Sequence, residues 1–319
     1  MLLAFVAFGL AGCSGLASSS GSGLPGAQSS AARQPSGPLP LHALIVFDTQ
    51  NGSLGYFTIE HGGNDTLKSL AGPLGIDSGY AMAANHDTIV IANYKPAYVV
   101  TYNLRTKKEV SIGDPYGQPY DVAVDKQGTI YALNSTSVAV YKSGSTQPTE
   151  LSCSNISLGE AVAVNNEGDV FVDGYGPGSF AGVVEYGHGS NTCTTPPLQP
   201  VEGYIAGVGV DPKTDDLITI DDPDLCAGGY EGRMLVYRKP YGQRAPRQQN
   251  LQATYCSGIF RLDASSTHIF YSDATVSDGA PLIDQARYPS GKYEGRYGGY
   301  YSSGTPFAGF TTLPNRLPN

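Results

Sequence analysis

The chain has 319 residues, enough for one large all-β domain or two ordinary ones. Its formal charge is −9 with no basic cluster, which excludes nucleic acid and an anionic membrane surface as the main partner. Charged residues make up only 15%, while Gly (41), Pro (22) and Tyr (22) are abundant, a profile of short strands and many turns instead of helices.

The first element is a targeting segment over residues 1–12. MLLAFVAFGL is an apolar run too short to span a bilayer. It leads into Leu10-Ala11-Gly12-Cys13, and these residues resemble the lipobox of bacterial lipoproteins. The resemblance implies export, a lipid on the Cys13 thiol, and Cys13 as the first mature residue. Ser14 after the Cys, where an Asp does not stand, implies an outer-membrane address if the cell has one. No Lys or Arg precedes the apolar run, a departure from the usual signal pattern. Residues 13–41 continue as Ser, Gly, Ala and Pro with almost no charge. Such a composition cannot bury enough apolar surface to fold, so a tether is expected between the lipid and a domain over 42–319.

From residue 43 the chain reads as strands. ALIVFDT, SLGYFTIE and DTLKSL have the character of the second, third and fourth strands of a unit that lacks its first. A phrase then recurs: GYAMAANHDTIVIAN at 79–93, DVAVDKQGTIYALN at 121–134, AVAVNNEGDVFVD at 161–173, GVGVDPKTDDLITID at 207–221 and GIFRLDASSTHIFYSD at 258–273. Each copy is an apolar strand, a polar turn and a second apolar strand closing on Asp or Asn. In the second copy SVAVYK (137–142) and TELSC (149–153) supply a third and a fourth strand. A four-strand unit repeating every 40–50 residues or so is the mark of a propeller blade. The nearly all-apolar first strands suit burial on both faces near a crowded axis.

The chain closes on PFAGFTTL (306–313), a first strand with no second. Joined to the incomplete unit at residue 43, it makes one composite blade. The expected fold is an all-β, six-bladed β-propeller closed by pairing of the N- and C-terminal strands; seven blades is the alternative count. The repeats resemble NHL-type and related six-bladed propeller units over about 42–319, which implies a fold but no single function.

The closing residues Asp48, Asn93, Asn134, Asp173, Asp221 and Asp273 form the first candidate set. Their recurrence in every blade predicts a structural device, an Asx-turn opening each B–C loop. The competing reading is a crown of oxygen ligands for a cation. Asp221, Asp222 and Asp224 gather three carboxylates around Pro223, a weak Ca²⁺ candidate without EF-hand spacing. Some six-bladed propellers of the gluconolactonase type hold a divalent cation in the central channel on Glu, Asp and Asn. That resemblance singles out Asp121 and Glu160, which begin first strands, as weak metal candidates. The five His are scattered, with no partner spacing for nucleophilic catalysis and no assignable catalytic residue.

Long loops at 174–182, 222–233 and 274–281 all fall between second and third strands, on the face they share with the blade-to-blade connections. Tyr175, Phe180 and Tyr230 are the expected aromatic anchors of a binding face there, and Tyr116 and Tyr120 of PYGQPY lie near the channel mouth. Setting Cys13 aside leaves Cys153, Cys193, Cys226 and Cys256, an even number in an exported chain. Three pairings are open; the blade topology favours Cys153–Cys193 and Cys226–Cys256. The functional expectation is a monomeric, lipid-anchored ligand- or protein-binding module without a cofactor. Its partner would be an envelope protein, a glycan or a small molecule. A metal-dependent lactonase or hydrolase is the alternative.

Overall fold

The computed structural model describes residues 42–48, 52–59, 66–76, 79–198, 204–222, 232–251, 259–273, 282–298 and 307–313. They form six antiparallel four-stranded sheets with no α-helix among them. Blade one contains β1 (Ala43–Asp48), β2 (Ser53–Thr58) and β3 (Lys68–Ala71). Blade two runs through β4 (Gly79–Asn85), β5 (Thr88–Asn93), β6 (Tyr98–Asn103) and β7 (Lys108–Gly113). Blade three is β8 (Asp121–Val124), β9 (Ile130–Leu133), β10 (Ser137–Tyr141) and β11 (Thr149–Ser152). Blade four is β12 (Leu158–Val164), β13 (Val170–Gly176), β14 (Phe180–Tyr186) and β15 (Cys193–Thr194). Blade five is β16 (Tyr204–Val210), β17 (Leu217–Asp222), β18 (Arg233–Tyr237) and β19 (Arg247–Asn250). Blade six is β20 (Phe260–Leu262), β21 (His268–Asp273), β22 (Leu282–Arg287) and β23 (Lys292–Tyr297). The last strand, β24 (Phe307–Thr312), pairs with β1 from Leu44↔Thr312 to Asp48↔Phe307 and completes blade one. The ring is therefore closed by the composite blade anticipated from the two incomplete sequence units, and it has six blades.

The core is divided in the same way. Six apolar clusters each fill one gap between adjacent blades, so every sheet is buried on both faces. Ile45, Phe47 and Met82 pack in the gap between blades one and two. Leu44, Phe270 and Phe310 seal the gap between blades six and one. This is why second strands such as TIVIAN read as continuous apolar runs instead of alternating ones.

Cys153, just after the outer strand of blade three, forms a disulfide with Cys193 in the outer strand of blade four. The expected pairing of these two is thus present, joining neighbouring blades at the rim. Cys226 and Cys256 lie outside the described residues.

Candidate binding face and central channel

Every inner strand runs from the face carrying the B–C loops to the face carrying the A–B turns. On the A–B face those of blades three to six lead into a buried Asp or Asn: Asp125, Asn165, Asp211 and Asp263. The Asp125 Oδ1 accepts the N–H groups of Gln127 (2.9 Å) and Thr129 (2.8 Å). Asn165 Oδ1 does the same for Glu167 (3.0 Å) and Asp169 (2.8 Å), and Asp263 for Thr267 (2.7 Å) and His268 (2.9 Å). These are the recurring Asx-turns of the fold. Neighbouring turns are also tied together: Asn85 Nδ2 donates to the Asp125 carbonyl (2.7 Å), and Asn166 Nδ2 to Asp215 Oδ1 (2.8 Å).

The Asx-turns were expected at the other end, on the residues that close the second strands. There Asn93 donates to the Pro96 carbonyl of its own loop (2.6 Å). Asn134 instead points its amide at Asp114 (3.4 Å), and Asp221 accepts from Arg233 on the next strand. Asp48 sits half-buried at the end of β1, and the Asp273 side chain lies outside the described residues.

Asp173 does not belong to that set. Gly159 pairs with Gly174 as Gly79 pairs with Asn93, so Gly174 holds the closing position in blade four. A Cβ at Gly174 would meet the Leu158 carbonyl oxygen at 2.1 Å, which explains the glycine. Asp173 pairs with Ala161 where blade two pairs Ala92 with Ala81 and blade three pairs Leu133 with Asp121. It is a carboxylate in a position that blades two and three fill with Ala and Leu. Aligning Gly128 with Gly168 in the A–B turns exposes this register in the sequence itself.

Three further residues break the repeat in the same region. Asp121 takes the place of Ala81 and Ala161. Arg261 takes that of Ala83, Ala123 and Ala163. Glu160 sits in the bulge between Gly159 and Ala161, as Tyr80 sits in the bulge between Gly79 and Ala81. A bulge leaves one residue unpaired and re-aims its side chain.

Arg261 reaches from the inner strand of blade six across the channel. Its Nη2 pairs with Asp121 Oδ1 of blade three at 2.5 Å, and its Nε donates to the Met82 carbonyl of blade two at 3.0 Å. Asp121 Oδ2 accepts the Val162 N–H of blade four at 3.0 Å. The weak metal candidate Asp121 is therefore engaged by a protein cation. Towards the A–B face the channel is a cavity of about 220 Å³ walled mostly by Val, Ala, Leu and Phe side chains, with Arg261, Thr311 and Thr312 among them.

Glu160 and Asp173 lack such an answer. Asp173 is fully buried; its Oδ1 accepts the Ala161 N–H at 2.7 Å, while its Oδ2 has no hydrogen-bond partner. Burial first, and the neighbouring Glu160 charge second, hold the Asp173 carboxyl well above the usual carboxylate range. Burial alone raises Glu160. Among the described residues no group of three or more His, Cys, Asp or Glu side chains has the arrangement to hold a metal ion. Asp222 closes β17 with its side chain outside the described set, and Asp224 lies wholly outside it.

Tyr80, Tyr94 and Tyr120 converge on the B–C face at the junction of blades two and three. Their ring centroids are 5.4–6.0 Å apart, with Tyr80 edge-on to Tyr120. The Lys95 ammonium lies 5.2 Å above the Tyr94 ring. The large hydrophobic side chains exposed among the described residues are Tyr80, Tyr116 and Leu158, and all three sit on this face, over blades two to four. The expected anchor Tyr175 is half-buried at the end of β13, where its carbonyl accepts the Ser157 N–H at 2.7 Å. Phe180 opens β14 with its side chain outside the described residues, and Tyr230 lies outside them altogether. Sequence reasoning placed Tyr120 near the mouth but passed over Tyr80 and Tyr94, whose convergence depends on the bulge in β4.

No protein-family model matches this chain, and no curated protein matches it. Among solved structures, 860 chains match, so the architecture is widely shared. A chain of a nidogen/laminin complex is similar at a TM-score of 0.67 and 13% identity, over 86% of this chain and 99% of that one. TolB from Acinetobacter baumannii gives 0.62 and 10% over 86% of this chain and 66% of its own. A chain of Kuenenia stuttgartiensis hydrazine synthase gives 0.52 and 11%, over 73% and 70%. At such identities the likeness establishes the fold alone. An enzyme and a chain crystallised in a protein–protein complex both stand among the matches, so the site, not the fold, must decide the function.

Proposed function

We propose that this chain is an exported, lipid-anchored propeller that binds a protein partner through its B–C face. The observation that carries the reading is the aromatic cluster Tyr80–Tyr94–Tyr120, with Tyr116 and Leu158 exposed on the same face. Tyrosines held on a rigid frame offer large contact area at small entropic cost, and interfaces are enriched in them. The opposite face is tied turn to turn by side-chain hydrogen bonds and suits a supporting role. The similarity to a chain from a nidogen/laminin complex agrees with a protein partner.

Export through a lipidated Cys13 and NHL-like kinship rest on the sequence pattern. The Cys153–Cys193 disulfide supports the compartment, since such bonds persist outside the reducing cytosol. No helix among the described residues is long and apolar enough to cross a membrane, so the lipid would supply the attachment. The metal-dependent hydrolase reading has less support, because Arg261 already neutralises Asp121 in the channel.

The test is capture from envelope extracts by full-length protein. Changing Tyr80 and Tyr120 together to Ala should remove the captured partner. Capture that survives this double change, with the variant still folded, sinks the proposed face.

A further inference from the structure

We propose that Glu160 and Asp173, at the mouth of the central channel, receive a basic side chain, an ammonium or guanidinium, presented by the protein partner. The inference rests on the reading of the B–C face as a protein-binding surface and names what the partner inserts there.

The first ground is the broken repeat. Blades two and three place Ala92 and Leu133 where blade four places Asp173, and Tyr80 where blade four places Glu160. A carboxylate in an apolar position lowers stability unless something compensates it. The backbone N–H groups of Ala161 and Gly207 compensate Asp173 in part, but no cation among the described residues answers either carboxyl. The Asp173 Oδ2 is buried without a donor. Glu160 makes no hydrogen bond or ion pair among the described residues, and Arg261 directs its donors to Asp121, Met82, Val122 and Phe260. Two neighbouring acids at the B–C end of blade four, one of them wholly enclosed, thus stand without a counter-charge.

The second ground is the chemistry of the same face. Tyr80, at the bulge position that Glu160 holds in blade four, and Tyr120, just ahead of Asp121, stand on the two preceding blades. A surface that presents both aromatic rings and carboxylates favours an organic cation, which gains from each. A divalent metal would need about six oxygen ligands, and the two carboxylates fall short. An ammonium needs only three acceptors. A protein carrier is favoured over a free amine by the exposed Tyr80, Tyr116 and Leu158 around the mouth. The chain's charge of −9 steers basic surfaces towards it.

The experiment titrates full-length protein with acetyl-Gly-Leu-Lys-Leu-Gly-amide, followed by NMR at neutral pH and low salt. Arginine and norleucine versions and n-butylamine serve as comparisons. Saturable binding of the lysine or arginine peptide is expected, at least tenfold weaker for norleucine, for n-butylamine, and for Glu160→Gln protein. Norleucine binding as tightly, no binding by any peptide, or unchanged affinity in Glu160→Gln overturns the proposal. Equal binding of n-butylamine overturns the protein carrier in favour of a free-amine receptor. Asp173→Leu, which restores the residue of blade three, should lose peptide affinity yet melt at a higher temperature. A lower melting temperature would make Asp173 a structural residue and remove it from the site. Partner capture lost with Tyr80 and Tyr120 but intact in Glu160→Gln would leave the binding face standing without the cation.

Discussion

Arg261 and Asp121 face each other across the central channel, their side chains joined at 2.5 Å although they belong to opposite blades of the ring. Asp121 is almost fully buried and the Arg261 side chain is 14% exposed, so the pair is poorly hydrated. Removing one partner strands the other, which typically costs about 3–5 kcal/mol, whereas replacing both with apolar groups is often neutral. Arg261→Ala alone should therefore lower the denaturation midpoint sharply. The double change with Asp121→Ala restores what Ala163 and Ala161 supply in blade four and should recover most of the loss. A double variant as unstable as the single one would show that the pair contributes more than mutual neutralisation.

The acids of the channel mouth make a pH prediction. Glu160 and Asp173 are both held above their ordinary values, Asp173 strongly. Between the ordinary carboxylate pKa, about 4, and the raised native value, the folded chain keeps protons that the unfolded chain releases. Stability should fall as pH rises through that window. Glu160→Gln and Asp173→Asn should each flatten the descent in urea denaturation series from about pH 4 to 8. Slopes identical to wild type would contradict the burial described for these groups.

Asp263 predicts the opposite trend on the other face. Burial would raise its carboxyl, but donors from His268, Ser265 and Thr267 outweigh burial and hold it below the usual range. Its contribution is present above the unfolded carboxylate pKa of about 4 and disappears as pH falls towards the native value. Asp263→Asn should reduce stability at neutral pH and weaken the acid dependence below about pH 4. An acid limb unchanged in the variant would assign that dependence to other carboxylates.

The Cys153–Cys193 disulfide joins blades three and four at the rim with a sequence separation of 40. Restricting an unfolded loop of that size is worth about 2–4 kcal/mol. Cys153→Ser should lower the melting temperature accordingly, and reduction of the wild type should match it. Alkylation without reduction, read by intact mass, should leave Cys153 and Cys193 unmodified.

Cys13→Ser should shift the protein from the membrane fraction to the soluble fraction and abolish labelling by a radioactive fatty acid. Retention of the variant in membranes would remove the lipid anchor.

The fold was legible because blade construction is written in local pattern. Continuous apolar strands, Gly-containing polar turns and the unmatched strands at residues 43 and 306 are enough to count blades and close the ring. The channel was less legible, since its contacts join residues that are distant in the chain. Arg261 in FRLD reads as an ordinary surface cation until strand pairing aligns it with Ala83, Ala123 and Ala163. Asp173 was misassigned because its acidic identity suggested membership in the Asp/Asn set, while the turn glycines put it one residue earlier. The Asx-turns of the A–B ends were passed over for a related reason: both ends of the phrase carry Asp or Asn, and composition does not say which one bends the backbone.

The pairing of β24 with β1 also bears on synthesis. Among the described strands, the first to leave the ribosome waits with one edge open until the last arrives, because its partner is encoded at the far end. A chain released early has five whole sheets and a sixth that ends on a bare edge, a template for aggregation and an easy target for proteases. Ring closure thus acts as a length check: the sealed product is available only to a chain that has been read through β24.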